Sequence, residues 1–188
     1  MRLGLSEIGR KGVYGLGGLW RIVWCMAIGV IGAAEGLGAY KNGKIIRVRQ
    51  KEKLKECYVA YGYPSRAKRD LNAYWNIFRE IFDKVGAMRR PGAAAIDLCL
   101  LAEGVFDGLL EFELNPWDVV SGTLIAKEAG AKVALSKGFS LGTDVYAGNE
   151  ICFPFIEKVI KLNLEELVSL VDGMRIRIKH GKIDLWII

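Results

Sequence analysis

The residues from Met88 to Gly130 constrain this chain more than any others, because they read as helix, strand and helix with almost nothing between them. Gly92 to Gly104 carries Ala95, Leu98, Cys99 and Ala102 at helical spacing, in a run rich in alanine, the strongest helix former. Gly104 ends that helix, and Val105 to Phe112 reads as a short buried strand with Gly108 inside it. A second helix opens at Asn115-Pro116-Trp117-Asp118. Asn115 suits the N-cap, Pro116 the first helical position and Asp118 the first turn. Gly130 closes it, with Lys127 in the last turn, where the helix dipole favours a cation.

Glu111 falls at the C-terminal end of the expected strand and Asp118 at the start of the next helix. In an open α/β sheet that is the edge where ligands bind. Two carboxylates there can hold a hard cation together with a hydroxylated or phosphorylated substrate. The same spacing admits a plainer role, in which Asp118 caps its helix and Glu111 is solvated. From the residues alone, both readings stand.

The wording of the stretch resembles the C-terminal half of the inositol monophosphatase family, which includes archaeal fructose-1,6-bisphosphatases. The matching positions are Arg89, Gly92-Ala93-Ala94-Ala95, Gly104, Asp107-Gly108, Glu111, Trp117-Asp118, Gly122, Ile125 and Glu128-Ala129-Gly130. Ala147-Gly148-Asn149 is similar to the family's final strand, and Glu35 to Lys44 to its "EGKGAFLNGK" hairpin. The resemblance implies a layered α/β fold and hydrolysis of inositol phosphate or fructose-1,6-bisphosphate monoesters with Mg²⁺. It implies that Asp118 is a metal ligand, that Glu111 hydrogen-bonds a substrate hydroxyl, and that Gly92, Ala93 and Ala94 contact the substrate through their backbone.

Family members carry most of their metal site earlier, in a Glu-Glu pair and an Asp-Pro-x-Asp-Gly-Thr motif, and this sequence has neither. Its first acids are Glu7 and Glu35, and no Asp precedes Asp70. The expectation is therefore a phosphatase-family chain whose Mg²⁺ site is incomplete. The alternative is a non-catalytic remnant or split-enzyme half, acting as a binding or assembly module. Exposed sheet edges then predict a homo-oligomer, or pairing with the absent half.

At 188 residues, 52% apolar and 26% charged, the chain can bury a full core and is not disordered in composition. Cys25, Cys57, Cys99 and Cys152 form no C-x-x-C pair, and with His180 the only histidine a zinc site or Cys-His nucleophile is not expected. Reduced core thiols in a cytoplasmic protein are. The net charge is +6, and ten Lys and Arg lie between Lys41 and Arg69 against Glu52 and Glu56. Without an RNA-binding aromatic motif, this block reads as a solvated basic edge rather than a nucleic-acid surface.

Residues 1–34 form an uncertain first segment, 35–162 the α/β unit, and 163–188 an extension. Ile22 to Ala34 is too short to span a bilayer unaided, which takes about 20 residues, and is expected as a core strand rather than a membrane or export segment. Tyr40 to Ile46 reads as a hairpin turning at Asn42-Gly43. Glu56 to Tyr61 is a strand, and Ser65 caps a long helix with an apolar stripe of Leu71, Trp75, Ile77, Phe78, Ile81, Phe82 and Val85. The order strand-helix-strand-helix-strand-helix predicts a mostly parallel or mixed sheet with helices on both faces. Strands follow at Ala131–Ala134 and Val145–Ala147, then a helix from Pro154 to Ile160 and a short helix from Leu164 to Val171. The chain ends in a hairpin around His180-Gly181, with Met174, Ile176, Ile178, Ile183, Leu185 and Ile187 on its apolar face.

Overall fold

The computed structural model describes the backbone of residues 13–16, 20–25, 29–64, 71–164, 167–171, 174–179 and 182–187, and the side chains of 29–64 and 71–163. The first sheet is an antiparallel meander of β1 (Val13–Leu16), β2 (Trp20–Cys25), β3 (Gly29–Ala34), β4 (Gly38–Lys41) and β5 (Lys44–Ile46), in that order. Asn42 (φ 49°) and Gly43 (φ 78°) take the left-handed conformations of the predicted β4–β5 turn. The run Ile22–Ala34 is not one strand. It is divided between β2 and β3, whose register runs from Trp20↔Ala34 to Cys25↔Gly29. Gly29 enters β3 at φ 105°, a backbone state that only glycine adopts readily, and the Val30 N–H donates to Asn42 Oδ1 at 3.0 Å. No described helix is long and apolar enough to cross a membrane.

The second sheet carries the site. It comprises β6 (Tyr58–Tyr61), β7 (Ala87–Arg89), β8 (Gly108–Leu114), β9 (Lys132–Leu135) and β10 (Thr143–Gly148), in the order β7-β6-β8-β10-β9. β6 runs parallel to β7 and β8, whereas β8–β10 and β10–β9 are antiparallel. The sheet is thus mixed. Only a short turn separates β9 from β10, and so tight a connection cannot return a strand in the parallel sense.

Four helices cover this sheet: α1 (Leu71–Phe82), α2 (Ala94–Ala102), α3 (Pro116–Glu128) and α4 (Cys152–Leu164). Strand alternation sends Leu109, Ala60, Val145 and Ala147 to a core shared with α2, α3 and the first sheet. Leu110, Phe112 and Val59 go to a second core against α1 and α4. The layers are therefore sheet, helix pair, sheet, helix pair. Cys57, Cys99 and Cys152 are buried thiols outside any disulfide, while the side chain of Cys25 lies outside the described residues.

Two expectations are corrected here. α1 buries Ala73, Tyr74, Ile77 and Ile81, leaving Leu71, Trp75 and Phe82 of the expected stripe exposed. Tyr74, Ile77 and Ile81 follow one another at helical spacing, and Tyr74 packs its ring against Phe112 at 5.5 Å, so the face turns toward the bulkiest partner on the sheet. Ser65, the expected cap, lies outside the described residues. The segment expected as a short helix contains β11 (Leu167–Val171), which pairs with β12 (Met174–Lys179) from Leu167↔Ile178 to Val171↔Met174. A strand partner alongside outweighs the weak helical tendency of Leu-Val-Ser-Leu-Val. β12 also pairs with β13 (Lys182–Ile187), and Met174↔Ile187, Ile176↔Leu185 and Ile178↔Ile183 align the predicted apolar positions. His180 and Gly181 lie outside the described residues.

Candidate functional site

β8 carries Glu111 at its middle rather than at the C-terminal end expected of a strand closing at Phe112, on the face directed toward α2 and α3. Two residues later the strand bends at Glu113, whose φ of 55° is unusual for a non-glycine residue. The Glu113 N–H donates to Asp144 Oδ1 at 3.0 Å, which holds that bend. Asn115 is extended (φ −93°, ψ 158°) and starts α3 with Pro116 in its first turn. The Asn115 N–H donates to Asp118 Oδ2 at 3.2 Å, so the Asp118 carboxylate does cap its helix. On the opposite wall, Gly92 (φ 93°) turns the chain from β7 into α2, where Ala93 offers no side-chain cap.

These pieces enclose one cavity of about 280 Å³. Its lining includes Gly92, Ala93, Ala94, Glu111 and Asp118, all five of the positions singled out from sequence, together with Tyr63, Arg90 and Glu113. Arg90 lies over the Tyr63 ring at 5.2 Å from its centroid.

Two further residues build the site from behind. Asp97, in the first turn of α2, is fully buried, and its Oδ2 accepts the Ala93 N–H at 3.4 Å. Its carboxyl and that of Glu111 lie close enough for each to shift the other's titration. Burial pushes the Glu111 carboxyl up to about 8, and the neighbouring Asp97 pushes in the same direction. Asp97 is also raised by burial, against the influence of Glu111. Gly62 is the second. A Cβ there would fall 2.8 Å from Glu111 Cδ, so the absent side chain is what makes room for the carboxyl.

Neither residue was found by motif. Gly62 left no signal beyond ending a strand. Asp97 did leave one: it is the single charge in the apolar run Ala93 to Ala102, and a carboxylate so placed is either wasteful or employed.

A Mg²⁺ centre asks for about six oxygens in near-octahedral geometry, with carboxylates among them. The described residues do not supply that set. No group of three or more His, Cys, Asp and Glu among them could hold a metal. Asp118 lines the cavity with Glu111 and Glu113, and of these it is the one the family resemblance assigns to a metal.

Of the basic block, Lys41 pairs with Glu103 at 2.8 Å and Arg49 with the buried Asp107 at 3.2 Å. Lys44, Arg47, Lys53 and Lys55 are exposed, and residues 65–70 lie outside the described set.

Residues 21–169 match the inositol monophosphatase family. The chain is a member of it. It is 52% identical over 136 residues to the Aquifex aeolicus protein named fructose-1,6-bisphosphatase/inositol-1-monophosphatase, covering 72% of this chain and 51% of that one. It is 34% identical over 140 residues to the Escherichia coli (strain K12) Nus factor SuhB, covering 73% and 51%. Among solved structures, Mycobacterium tuberculosis SuhB superposes with a TM-score of 0.67 at 29% identity, over 77% of this chain and 59% of that one. The chain thus spans about half the length of the curated relatives it matches. Its mixed sheet and helix pairs are the inositol monophosphatase fold.

Proposed function

We propose that this chain forms the polyol-binding wall of a phosphoric monoester hydrolase acting on an inositol phosphate or a sugar phosphate such as fructose-1,6-bisphosphate. The carrying observation is the convergence of Glu111, Asp118 and the Gly92–Ala94 backbone on one cavity. Glu111 and the uncapped start of α2 suit a ligand that presents both hydroxyls and a phosphate, since the first N–H groups of a helix favour an anion. Arg90 adds a cation to the same cavity. Asp118 is this chain's contribution to a Mg²⁺ centre of the kind the family uses. One carboxylate is too few for that ion, so hydrolysis needs acidic ligands from outside the described residues. No catalytic step is assigned to this chain alone.

The test is calorimetric titration with inositol-1-phosphate and fructose-1,6-bisphosphate, with and without Mg²⁺, alongside phosphate release. Binding without turnover is the expected result. Turnover abolished by Asp118→Asn would show that the chain is a phosphatase unaided. Absence of binding would refute the reading. A second reading, an assembly module with no turnover of its own, is favoured by relatives named Nus factor SuhB and by the shortage of carboxylates at the cavity. A monodisperse monomer in size-exclusion chromatography, with weak binding of an apolar dye, would count against it.

A further inference from the structure

The basic block between Lys44 and Lys55 is tied down more firmly than a solvated surface loop requires. Six Lys and Arg lie in it against Glu52 alone, and from Arg47 to Lys55 they recur at every second position. The Val48 N–H donates to the Ala129 carbonyl at 3.0 Å, and buried Asn149 donates through Nδ2 to the Arg49 carbonyl at 2.9 Å. Gly104 closes in from one side, where a Cβ would fall 2.9 Å from Arg49 Cβ. The segment thus crosses the C-terminal ends of α2 and α3 as a fixed strip, with Val48 buried beneath it and Arg47, Lys53 and Lys55 exposed.

Asp107 sets what stands at the end of the strip. It is fully buried, and its carboxylate accepts from Arg49 Nε (3.3 Å), Arg49 Nη2 (3.2 Å) and the Tyr58 N–H (2.9 Å). One carboxylate therefore fixes both a guanidinium on a half-exposed side chain and the backbone of a tyrosine that is 49% exposed. Tyr58 opens β6, and the two residues after it, Val59 and Ala60, are buried. Its ring stacks on no other aromatic ring among the described residues. A row of cations and an exposed ring are thus held on one rigid surface, and none of these residues lines the cavity.

We propose that the strip from Lys44 to Tyr58 is a binding surface for single-stranded nucleic acid, the cations following its phosphates and the Tyr58 ring stacking an unpaired base. A linear polyanion meets several members of such a row at once, and each phosphate contact releases counterions. Stacking on a ring adds affinity that tolerates any base. An acidic peptide would use the cations and leave the ring idle. A duplex, whose bases are already stacked, would do the same. The inference is independent of the polyol-phosphate reading, since the two sites share no residue.

The experiment is fluorescence anisotropy of the intact chain with labelled single-stranded RNA and DNA of about 16 nucleotides, the matching duplexes, and vesicles containing an anionic lipid. Expected is binding of the single strands, with log affinity falling against log salt at a slope of about −3, as about four phosphate contacts give. Lys53→Glu combined with Lys55→Glu should weaken binding by at least about tenfold and flatten that slope. Tyr58→Ala should weaken it by about tenfold with the slope unchanged, a separation that general charge attraction does not produce. Should Tyr58→Ala not fold, Tyr58→Leu against Tyr58→Phe makes the same comparison, since only phenylalanine keeps a ring to stack. Failure to bind single strands at low salt overturns the proposal. So does binding of duplex or vesicles as tight as that of single strands, or wild-type affinity in the variant without the ring. The RNA and DNA arms tell the two sources apart, because only RNA offers a 2′-hydroxyl.

Discussion

Replacing Gly62 by alanine tests the back wall of the site directly. Its φ lies outside the left-handed region, so alanine fits the backbone and by itself gains roughly 0.4–1 kcal/mol by restricting the unfolded chain. Against that, the new Cβ would overlap Glu111 Oε2 and approach Cδ to 2.8 Å and Cγ to 3.1 Å. Glu111 is 7% exposed and lies beside Asp97, so the carboxyl cannot swing into solvent. Overpacking of this kind costs about 1–3 kcal/mol. The net expectation is a destabilisation, read from urea denaturation at constant m-value. The double-mutant cycle supplies the decisive comparison. With Glu111→Ala in place the obstructing carboxyl is gone, and Gly62→Ala should be neutral or slightly stabilising. An equal loss in both backgrounds would refute the steric account and locate the cost in the Gly62 backbone.

Other substitutions and conditions probe the scaffold. A Cβ at Gly122 of α3 would meet Leu98 Cβ at 2.7 Å, so Gly122→Ala should lose about 1–2 kcal/mol by thermal unfolding even after the gain in helix propensity of about 1 kcal/mol. Fully buried Asp107 accepts from Arg49 Nε (3.3 Å), Arg49 Nη2 (3.2 Å) and the Tyr58 N–H (2.9 Å), and Arg49→Met should cost about 2–4 kcal/mol by leaving that charge buried without its cation. Glu111 is raised from 4.5 to about 8 in the folded chain, so its contribution to stability is complete below about pH 4.5 and is lost as pH rises toward 8. Urea midpoints of the wild type should therefore fall across that window more steeply than those of Glu111→Gln, and parallel curves would contradict the assignment.

Much of this was legible because the helix–strand–helix stretch is governed by local chemistry. Gly104 (φ 74°) and Gly130 (φ 93°) end their helices in the left-handed conformation, and Pro116 starts one, as their side chains dictate. Asp118 in the first turn of α3 follows from the same logic, whereas Glu111, expected at a strand end, lies in the middle of β8 because that strand runs on to Leu114. What escaped was set by partners distant in sequence. The buried face of α1 depends on Phe112, some forty residues away, and an aromatic-rich helix offers several stripes of equal merit. The antiparallel return of β10 comes from pairing with β8, which the alternating pattern of elements hides. Asp97 was passed over because motif reading weighs matches, whereas its meaning lies in a mismatch between a charge and its apolar neighbours.

Glu128, near the end of α3, accepts the N–H groups of Gly36 (2.9 Å) and Gly38 (2.8 Å) and so fastens the β3–β4 turn to a residue some ninety positions later. A clasp spanning that much chain closes only after the helix it hangs from has formed, because the entropy of so large a loop must be met before the bonds return anything. The meander is therefore expected to attach late in folding. In the mature protein its amides at Gly36 and Gly38 are the ones whose exchange with solvent reports when the two sheets part company.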